Sequence, residues 1–268
     1  MRRATPVRST LMESIDLGGV QLEVARIDGP TSPRLAPIVF LHEGLGSVAM
    51  WRDWPAKVCA ETGRAGLVYS RRGYGHSSAV ADVRGDGRLA PDYMHREALD
   101  VLPQLLAKLG MERPVLLGHS DGGSIALIHA AHHAVSACIV MAPHVIVEEI
   151  SVRSIAQARE AYETGDLRER LRRYHADVDG AFWQWNDIWL SEAFRAFDIR
   201  RDCRMIRSPV LAIQGVDDPY GTRRQIEEIA PTLGAFEQHL LAQCGHSPHR
   251  DQPEESTRLI ARFLTGIA

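Results

Sequence analysis

Short apolar runs alternate along the chain with segments of helical periodicity. Between the runs, residues 92–109 carry apolar side chains at spacings of three and four, which predicts an amphipathic helix that ends at Gly110. The runs are four or five residues long and are bounded by turn formers, as is typical of strands buried on both faces. They lie at 37–41, 66–69, 114–117, 137–141 and 209–213. This alternation predicts an α/β fold with a mostly parallel central sheet flanked by helices.

Two regions depart from the alternation. Near the start, two alternating runs within 15–27 flank Gly18-Gly19, which predicts a β-hairpin. Later, residues 145–205 contain no buried-strand run but show helical patterns at 150–162, 167–174 and 181–189. We therefore expect a core formed by residues 1–144 and 206–268, with an inserted helical cap at 145–205, the cap segment.

Aromatic residues are concentrated in the cap segment. It holds eight of the 17 aromatic residues, which comprise 5 Trp, 6 Tyr and 6 Phe. These rings form a small core of the cap, line an apolar pocket beneath it, or do both. We expect four tryptophans to line the substrate pocket: Trp51, Trp183, Trp185 and Trp189.

Composition argues against several classes of protein. The 268 residues are 45% hydrophobic and 24% charged, as in ordinary globular domains. With 31 Lys and Arg against 34 Asp and Glu, the chain has no basic excess for binding nucleic acid. The four cysteines form no CxxC pair, and neither a signal peptide nor a run of about 18 apolar residues is present. We therefore expect a cytoplasmic protein with a small-molecule substrate and no cofactor, metal, membrane or nucleic-acid partner; the oligomeric state stays open.

A serine lies at a predicted strand-to-helix turn. After the run at 114–117 the sequence reads Gly118-His119-Ser120-Asp121-Gly122 and continues into a helix-compatible segment. Small residues on both sides of a serine permit a sharp turn that exposes its hydroxyl at the carboxyl edge of the sheet. A serine hydroxyl becomes a nucleophile when an imidazole accepts its proton and a carboxylate orients the imidazole.

Both partners follow downstream in the order Ser, Asp, His. Asp217 and Asp218 come after the run at 209–213, and His246 follows Gly245. A second histidine, His249, competes weakly as the base. The acid could also come from Glu148 or Glu149, after the run at 137–141.

These motifs resemble the α/β-hydrolase family over nearly the full length of the chain. The family places its acid at the third residue after the glycine of the acid loop, which implies a catalytic triad of Ser120, Asp218 and His246. Five motifs in order carry the resemblance: Phe40-Leu41-His42, the turn at 72–77, the serine turn at 118–122, Gly215-x-x-Asp218, and Gly245-His246 ahead of Gln252-Pro253.

The resemblance also implies an oxyanion hole of backbone N–H groups. One donor is Asp121, and the other is Gly44, with Leu45 as the second choice. Glu43 departs from the His-Gly that relatives commonly have. Because negative charge beside a developing oxyanion opposes catalysis, the carboxyls of Glu43 and Asp121 must point away, pair with cations or hold a proton.

Two other motifs compete with this interpretation. His129 and His133 share a helix face, as two metal ligands would, but no third ligand follows and residue 130 is not the Glu of H-E-x-x-H. The turn at 72–77 has two of the three glycines of a phosphate-binding loop. Ordinary histidines and a structural turn are the favoured interpretations.

The sequence thus predicts a serine hydrolase that cleaves a small to medium carboxylic ester through an acyl-enzyme on Ser120. The same triad serves carbon-carbon bond hydrolases, lactonases and thioesterases. From a different class, a non-catalytic ligand-binding protein on this scaffold is the alternative.

Overall fold

A computed structural model describes residues 10–29, 35–230 and 233–267. Within them, one sheet contains eight strands. These are β1 (Thr10–Leu17), β2 (Val20–Ile27), β3 (Ile38–Leu41), β4 (Gly66–Tyr69), β5 (Val115–His119), β6 (Ala137–Met141), β7 (Val210–Gly215) and β8 (Phe236–Leu241). Their order across the sheet is β1-β2-β4-β3-β5-β6-β7-β8.

The sheet is parallel from β4 to β8 and antiparallel at the other edge. β1 pairs with β2 as a hairpin through Gly18 and Gly19, whose φ values of 64° and 91° suit a turn with left-handed residues. β2 then pairs antiparallel with β4. The remaining pairs are parallel, so the strands from β3 to β7 end at one edge of the sheet. This arrangement confirms the predicted α/β class with a mostly parallel sheet.

Eleven α-helices accompany the strands within the described residues. They are α1 (Trp54–Thr62), α2 (Tyr93–Arg96), α3 (Leu102–Lys108), α4 (Asp121–His132), α5 (Glu149–Thr164), α6 (Leu167–Arg172), α7 (Val178–Trp189), α8 (Arg200–Cys203), α9 (Arg224–Glu227), α10 (Pro248–Asp251) and α11 (Pro253–Phe263). In the described part of the chain, no helix is long and apolar enough to span a bilayer.

The predicted helix at 92–109 is interrupted. A π-helical turn, Glu97–Val101, separates α2 from α3. Pro103 stands in the first turn of α3, where its missing N–H cannot bond back to the preceding turn. The helical pattern predicts the segment but not the wider turn, because apolar spacing is similar in both forms.

Hydrophobic side chains cover both faces of the sheet, since successive strand residues point to opposite sides. Leu116 of β5 packs in the cluster that includes residues of α4 and of the cap segment, whereas Leu117 packs with residues of α1 and α11. The β3–β7 strands are buried along their whole length, as the continuous apolar runs predict. Layers of helices therefore cover the sheet on two sides.

The cap segment lies between β6 and β7 in the chain. Three of its helices, α5, α6 and α7, occupy ranges close to those that the helical patterns predict. Its two ends meet, because Ile146 bridges Asp198 and the N–H of Ile199 donates to the carbonyl of Val145 at 2.9 Å. Part of its aromatic content is fully buried, including Phe182, Trp189 and Phe194.

Candidate active site

Ser120 lies at the turn between β5 and α4, in a strained backbone conformation. Its φ of 52° and ψ of −120° are rare for a residue with a side chain. The flanking glycines make this turn possible. A Cβ on Gly118 would lie 2.1 Å from the carbonyl oxygen of Gly122, and one on Gly122 would lie 2.1 Å from that of Leu41. The serine hydroxyl is thereby held at the carboxyl edge of the sheet.

Ser120, His246 and Asp218 form a continuous chain of hydrogen bonds. The Oγ of Ser120 lies 2.9 Å from Nε2 of His246, and Nδ1 of His246 lies 2.9 Å from each carboxylate oxygen of Asp218. A carboxylate accepts, so Nδ1 carries a hydrogen and Nε2 is free to accept the serine proton. The three groups come from the carboxyl ends of β5, β7 and β8, which the parallel sheet brings together.

Further hydrogen bonds fix the carboxylate of Asp218. It accepts from the N–H of Tyr220 at 2.8 Å and from Nε2 of Gln214 at 2.6 Å. Burial acts to raise the pKa of Asp218, but the hydrogen bonds from His246 and Tyr220 hold this pKa below its usual value. Asp218 is therefore ionised at neutral pH and can stabilise a protonated His246.

The alternative acids and the alternative base lie elsewhere. Asp217 is exposed to solvent, although it precedes Asp218 directly. Glu148 accepts hydrogen bonds from Thr222 and Gln225, away from His246. The ring of His249 is buried 4.9 Å from that of Trp51.

The three residues proposed as donors of the oxyanion hole lie at the cavity beside Ser120. Gly44, Leu45 and Asp121 all line this cavity. Within the described residues, the N–H groups of Gly44 and Leu45 make no hydrogen bond, and Asp121 is the first residue of α4, where N–H groups lack intrahelical acceptors. Arg71 stabilises the loop by donating to the carbonyls of His42 at 2.6 Å and Glu43 at 3.0 Å.

The two carboxyl groups beside this site both have partners. The carboxyl of Asp121 accepts from the hydroxyl of Tyr93 at 2.6 Å and from Nε1 of Trp189 at 3.3 Å, with Arg71 at 4.0 Å. Burial raises the pKa of Asp121, and Arg71 opposes this rise. Glu43 lies 3.2 Å from Arg250 and 3.5 Å from His119. From the sequence we expected these carboxyls to point away, pair with cations or hold a proton, and an arginine lies beside each of them.

The cavity at Ser120 has a volume of about 120 Å³ and is partly enclosed by the cap segment. Trp185 and Trp189 of α7 line it, together with Ile155 of α5. Sequence reasoning missed four further lining residues because none belongs to a recognised motif: His144, Ile155, Tyr220 and Ser247. Burial lowers the pKa of His144 to about 3, so this residue is neutral.

Two of the four tryptophans expected in the pocket lie outside it. Trp51 follows the loop at 42–47 and is buried, stacked on Trp54 with ring centroids 5.8 Å apart. Its position in a short helical turn after the loop directs the indole into the core rather than to the serine. Trp183 stacks against the guanidinium of Arg84, 4.1 Å from its ring centroid. Trp183 and Trp185 are two positions apart on α7. Two helical positions differ by about 200°, so the two rings face opposite sides of the helix.

The paired histidines of α4 make local contacts. The rings of His129 and His133 stack 4.5 Å apart, and Nδ1 of His129 donates to the carbonyl of Ala98 at 2.8 Å. Across the described ranges, no group of three His, Cys, Asp or Glu side chains is placed to hold a metal ion.

The fold and this site are typical of a hydrolase, and comparison with known proteins indicates the same class. Residues 38–258 match the profile of the Alpha/beta hydrolase family, so the chain belongs to that family and is a hydrolase. It is 24% identical over 297 residues to the sn-1-specific diacylglycerol lipase ABHD11 of Mus musculus, covering 98% of this chain and 93% of that protein. It is also 24% identical to the non-heme chloroperoxidase CPO-A1 of Kitasatospora aureofaciens, over 73% of this chain and 80% of that one.

Solved structures share the fold. The enol-lactonase of Burkholderia xenovorans LB400 superposes with a TM-score of 0.73 and 22% identity, covering 94% of this chain and all of that one. Relatives in this family thus differ in the reactions that their names describe, which leaves the substrate to be argued from the cavity.

Proposed function

We propose that the protein is a serine hydrolase that cleaves small to medium carboxylic esters through an acyl-enzyme on Ser120. One observation carries the proposal: the 2.9 Å contacts that join Ser120 to His246 and His246 to Asp218. This is the geometry that serine acyl transfer requires. The lipase relative acts on an ester by its name, which supports the same type of bond.

The groups at the site have a defined order of action in this proposal. His246 accepts the proton of Ser120 while the serine oxygen attacks the ester carbonyl, and Asp218 stabilises the imidazolium that forms. The N–H groups of Gly44 and Asp121 donate to the tetrahedral oxyanion. His246 then gives its proton to the leaving alcohol, and water releases the acid from Ser120 by the reverse sequence.

The cavity favours a small acyl group. Its volume of about 120 Å³ is below the range of about 300–1,000 Å³ typical of sites for drug-sized ligands. Ile155, Trp185 and Trp189 give it apolar walls. Short aliphatic or small aryl acyl groups fit this space, whereas a long chain requires α7 to move.

Replacing Ser120 by Ala tests the proposal. Hydrolysis of 4-nitrophenyl acetate should fall by several powers of ten, because the nucleophile is lost while the fold remains. The variant Ser136→Ala removes a hydroxyl that bonds to the carbonyl of Arg113, remote from this site, and should retain full activity. An unchanged rate in Ser120→Ala, with circular dichroism like that of the parent, contradicts the nucleophilic role.

A fluorophosphonate probe distinguishes an enzyme from a ligand-binding protein on the same scaffold. If the protein is an enzyme, the probe should label Ser120. In a ligand-binding protein the serine is not activated as a nucleophile and stays unlabelled. A panel of aryl esters, lactones, acyl thioesters and ring-cleavage diketones then identifies the bond. Preference for any class other than the esters contradicts ester specificity but not the role of Ser120.

A further inference from the structure

His119 lies between two loops of the active site. It precedes Ser120 in β5 and is 1% exposed. Its Nε2 is 2.7 Å from the carbonyl oxygen of His246, and its Nδ1 is 3.5 Å from Oε2 of Glu43. Glu43 belongs to the loop that carries the oxyanion donors, so one buried ring connects this loop to the loop of the base.

The hydrogen-bond pattern restricts the protonation of His119. A carbonyl oxygen only accepts, so Nε2 of His119 carries a hydrogen. In a neutral ring the lone pair of Nδ1 would then face a carboxylate oxygen. Nδ1 makes no hydrogen bond to any described residue that would relieve this repulsion. A doubly protonated ring instead directs an N–H at Glu43.

The surroundings of Glu43 favour its charged form. Burial acts to raise the pKa of Glu43, but His119 and Arg250 hold this pKa well below its usual range. The side chain folds back over its own loop, where a Cβ on Gly46 would lie 2.5 Å from Oε2. Arg250 also donates to the carbonyl of Met50 at 3.3 Å, which fixes it beside Glu43.

Among the described residues, the other ionisable rings in contact with His119 are those of His246 and His249. Burial keeps His249 neutral, with a pKa well below its usual value, and its ring lies 4.8 Å from that of His119. His144, with its pKa of about 3, is neutral as well. The titratable and charged groups facing His119 are therefore Glu43 from the oxyanion loop, His246 from the base loop, His249 and Arg250 from α10, and His144 after β6.

We propose that Glu43 and His119 form a buried ion pair that positions His246. The imidazolium of His119 holds the His246 carbonyl, and Glu43 stabilises that imidazolium while fixing the oxyanion loop. Neither residue touches the substrate carbonyl in this role, so both are positioning residues. The inference rests on the proposed function, because His246 is its base.

The positive charge has a consequence for catalysis. The rings of His119 and His246 are 5.2 Å apart, so a cation at His119 opposes protonation of His246. The carboxylate of Glu43 has the opposite charge and offsets part of this effect.

Nitrogen-15 NMR of labelled histidines tests the charge without relying on turnover. In the parent protein at pH 7, both ring nitrogens of His119 should carry a hydrogen, with the resonances assigned by their loss in His119→Gln. In Glu43→Gln, only Nε2 should remain protonated. A neutral His119 in the parent protein overturns the proposal, even if Ser120→Ala has already shown that the serine hydrolase assignment holds.

The pH profile of kcat/KM gives the second measurement. In Glu43→Gln the acidic limb should move up by roughly one pH unit as His119 loses its charge. His119→Gln should move the limb in the same direction, because glutamine can still donate to the His246 carbonyl but has no charge. Misplacement of the base should lower kcat up to about 100-fold with little change in KM.

A matched control separates this effect from the loss of any carboxylate near a histidine. Asp202 lies 2.8 Å from His132, remote from Ser120, with a similarly low side-chain exposure of 16%. Asp202→Asn should leave the acidic limb in place. If the acidic limb of Glu43→Gln stays in place or moves to lower pH, the ion pair is contradicted. That outcome is expected when Glu43 is an anion beside a neutral His119, because its removal makes His246 harder to protonate.

Discussion

Asp218 has the most extensively hydrogen-bonded side chain of the proposed triad. Its two oxygens accept from His246, Tyr220 and Gln214, whereas the adjacent Asp217 points to solvent. Two neighbouring carboxylates of identical chemistry thus have different environments. At the residue scale, the environment and not the residue type decides which of them contacts His246.

Separate substitution of these two aspartates by asparagine tests this difference. Asp218→Asn should lower kcat about 10⁴-fold, because an amide can favour the wrong tautomer of His246. Asp217→Asn preserves the triad and should stay within about twofold of the parent. Steady-state kinetics on an aryl ester measures both, and a large loss confined to Asp217→Asn contradicts the assignment.

Some site residues could be predicted from the sequence because they occupy ends of recognisable strands. Ser120 and Asp218 follow apolar runs at 114–117 and 209–213, and parallel strands bring such ends together. The pocket residues could not be predicted in this way. Trp51 and Trp185 look equivalent as sequence, and only the direction of each helical turn places one in the core and the other at the cavity.

At the scale of elements, the turn between β5 and α4 depends on contact between backbones. Both Gly118 and Gly122 lie where any Cβ would meet a main-chain oxygen at 2.1 Å. Main chain cannot rotate aside as a side chain can. The strand and helix therefore approach each other and β3 only while both positions remain glycine.

Replacing Gly122 by Ala should separate α4 from β3. We expect a loss of more than about 3 kcal/mol in the free energy of unfolding, because close packing resists added volume. Gly110→Ala is the control, since nothing lies within 4 Å of a Cβ there and only its φ of 66° costs about 1–2 kcal/mol. Urea unfolding measures both variants, and equal losses contradict the steric explanation.

The α7 helix sets the size of the cavity. A Cβ on Gly44 would lie 2.1 Å from Nε1 of Trp185, which shows how closely this indole rests on the oxyanion loop. Trp185→Ala should raise kcat/KM for octanoyl relative to acetyl esters by about tenfold or more, because it opens apolar space. Trp183→Ala, which alters a ring outside the cavity, should leave this ratio unchanged.

At the scale of the whole molecule, folding buries several histidines in neutral form. Burial lowers the pKa of His129 to about 4, and that of His144 to about 3. In the unfolded chain these groups protonate near pH 6.5. Below that pH the unfolded chain binds more protons than the folded one, so stability present above pH 6.5 is lost as the pH falls toward the folded pKa values.

The dependence of stability on pH checks this assignment. Between pH 7 and pH 5, His129 should remove about 2 kcal/mol from the free energy of unfolding, since each pKa unit corresponds to about 1.4 kcal/mol. His129→Gln should flatten the profile by that amount, and replacement of the exposed His76 should not change it. Urea titrations at pH 7 and pH 5 measure the free energy of unfolding of both proteins. An equal decrease in His129→Gln and in the parent protein contradicts the prediction.

The edges of the sheet and the turns of its helices are less predictable from sequence than its centre. β8 is recognisable only by its last apolar residues, because Glu237, Gln238 and His239 interrupt the apolar pattern on an edge strand. Central strands lie between two layers of side chains and must be apolar throughout. Edge strands have fewer neighbours, so their sequences carry a weaker signal.

Because the two ends of the cap segment meet, the helices inside it and the strand ends outside it can vary separately during evolution. Ile146 and Asp198 pair at its base, and Cys138 of β6 is in register with Val210 of β7. We expect exchange of the helices within this loop to leave the strand ends at Ser120 and Asp218 where they are. Selectivity can therefore diverge among descendants of such a chain while its chemistry is inherited intact.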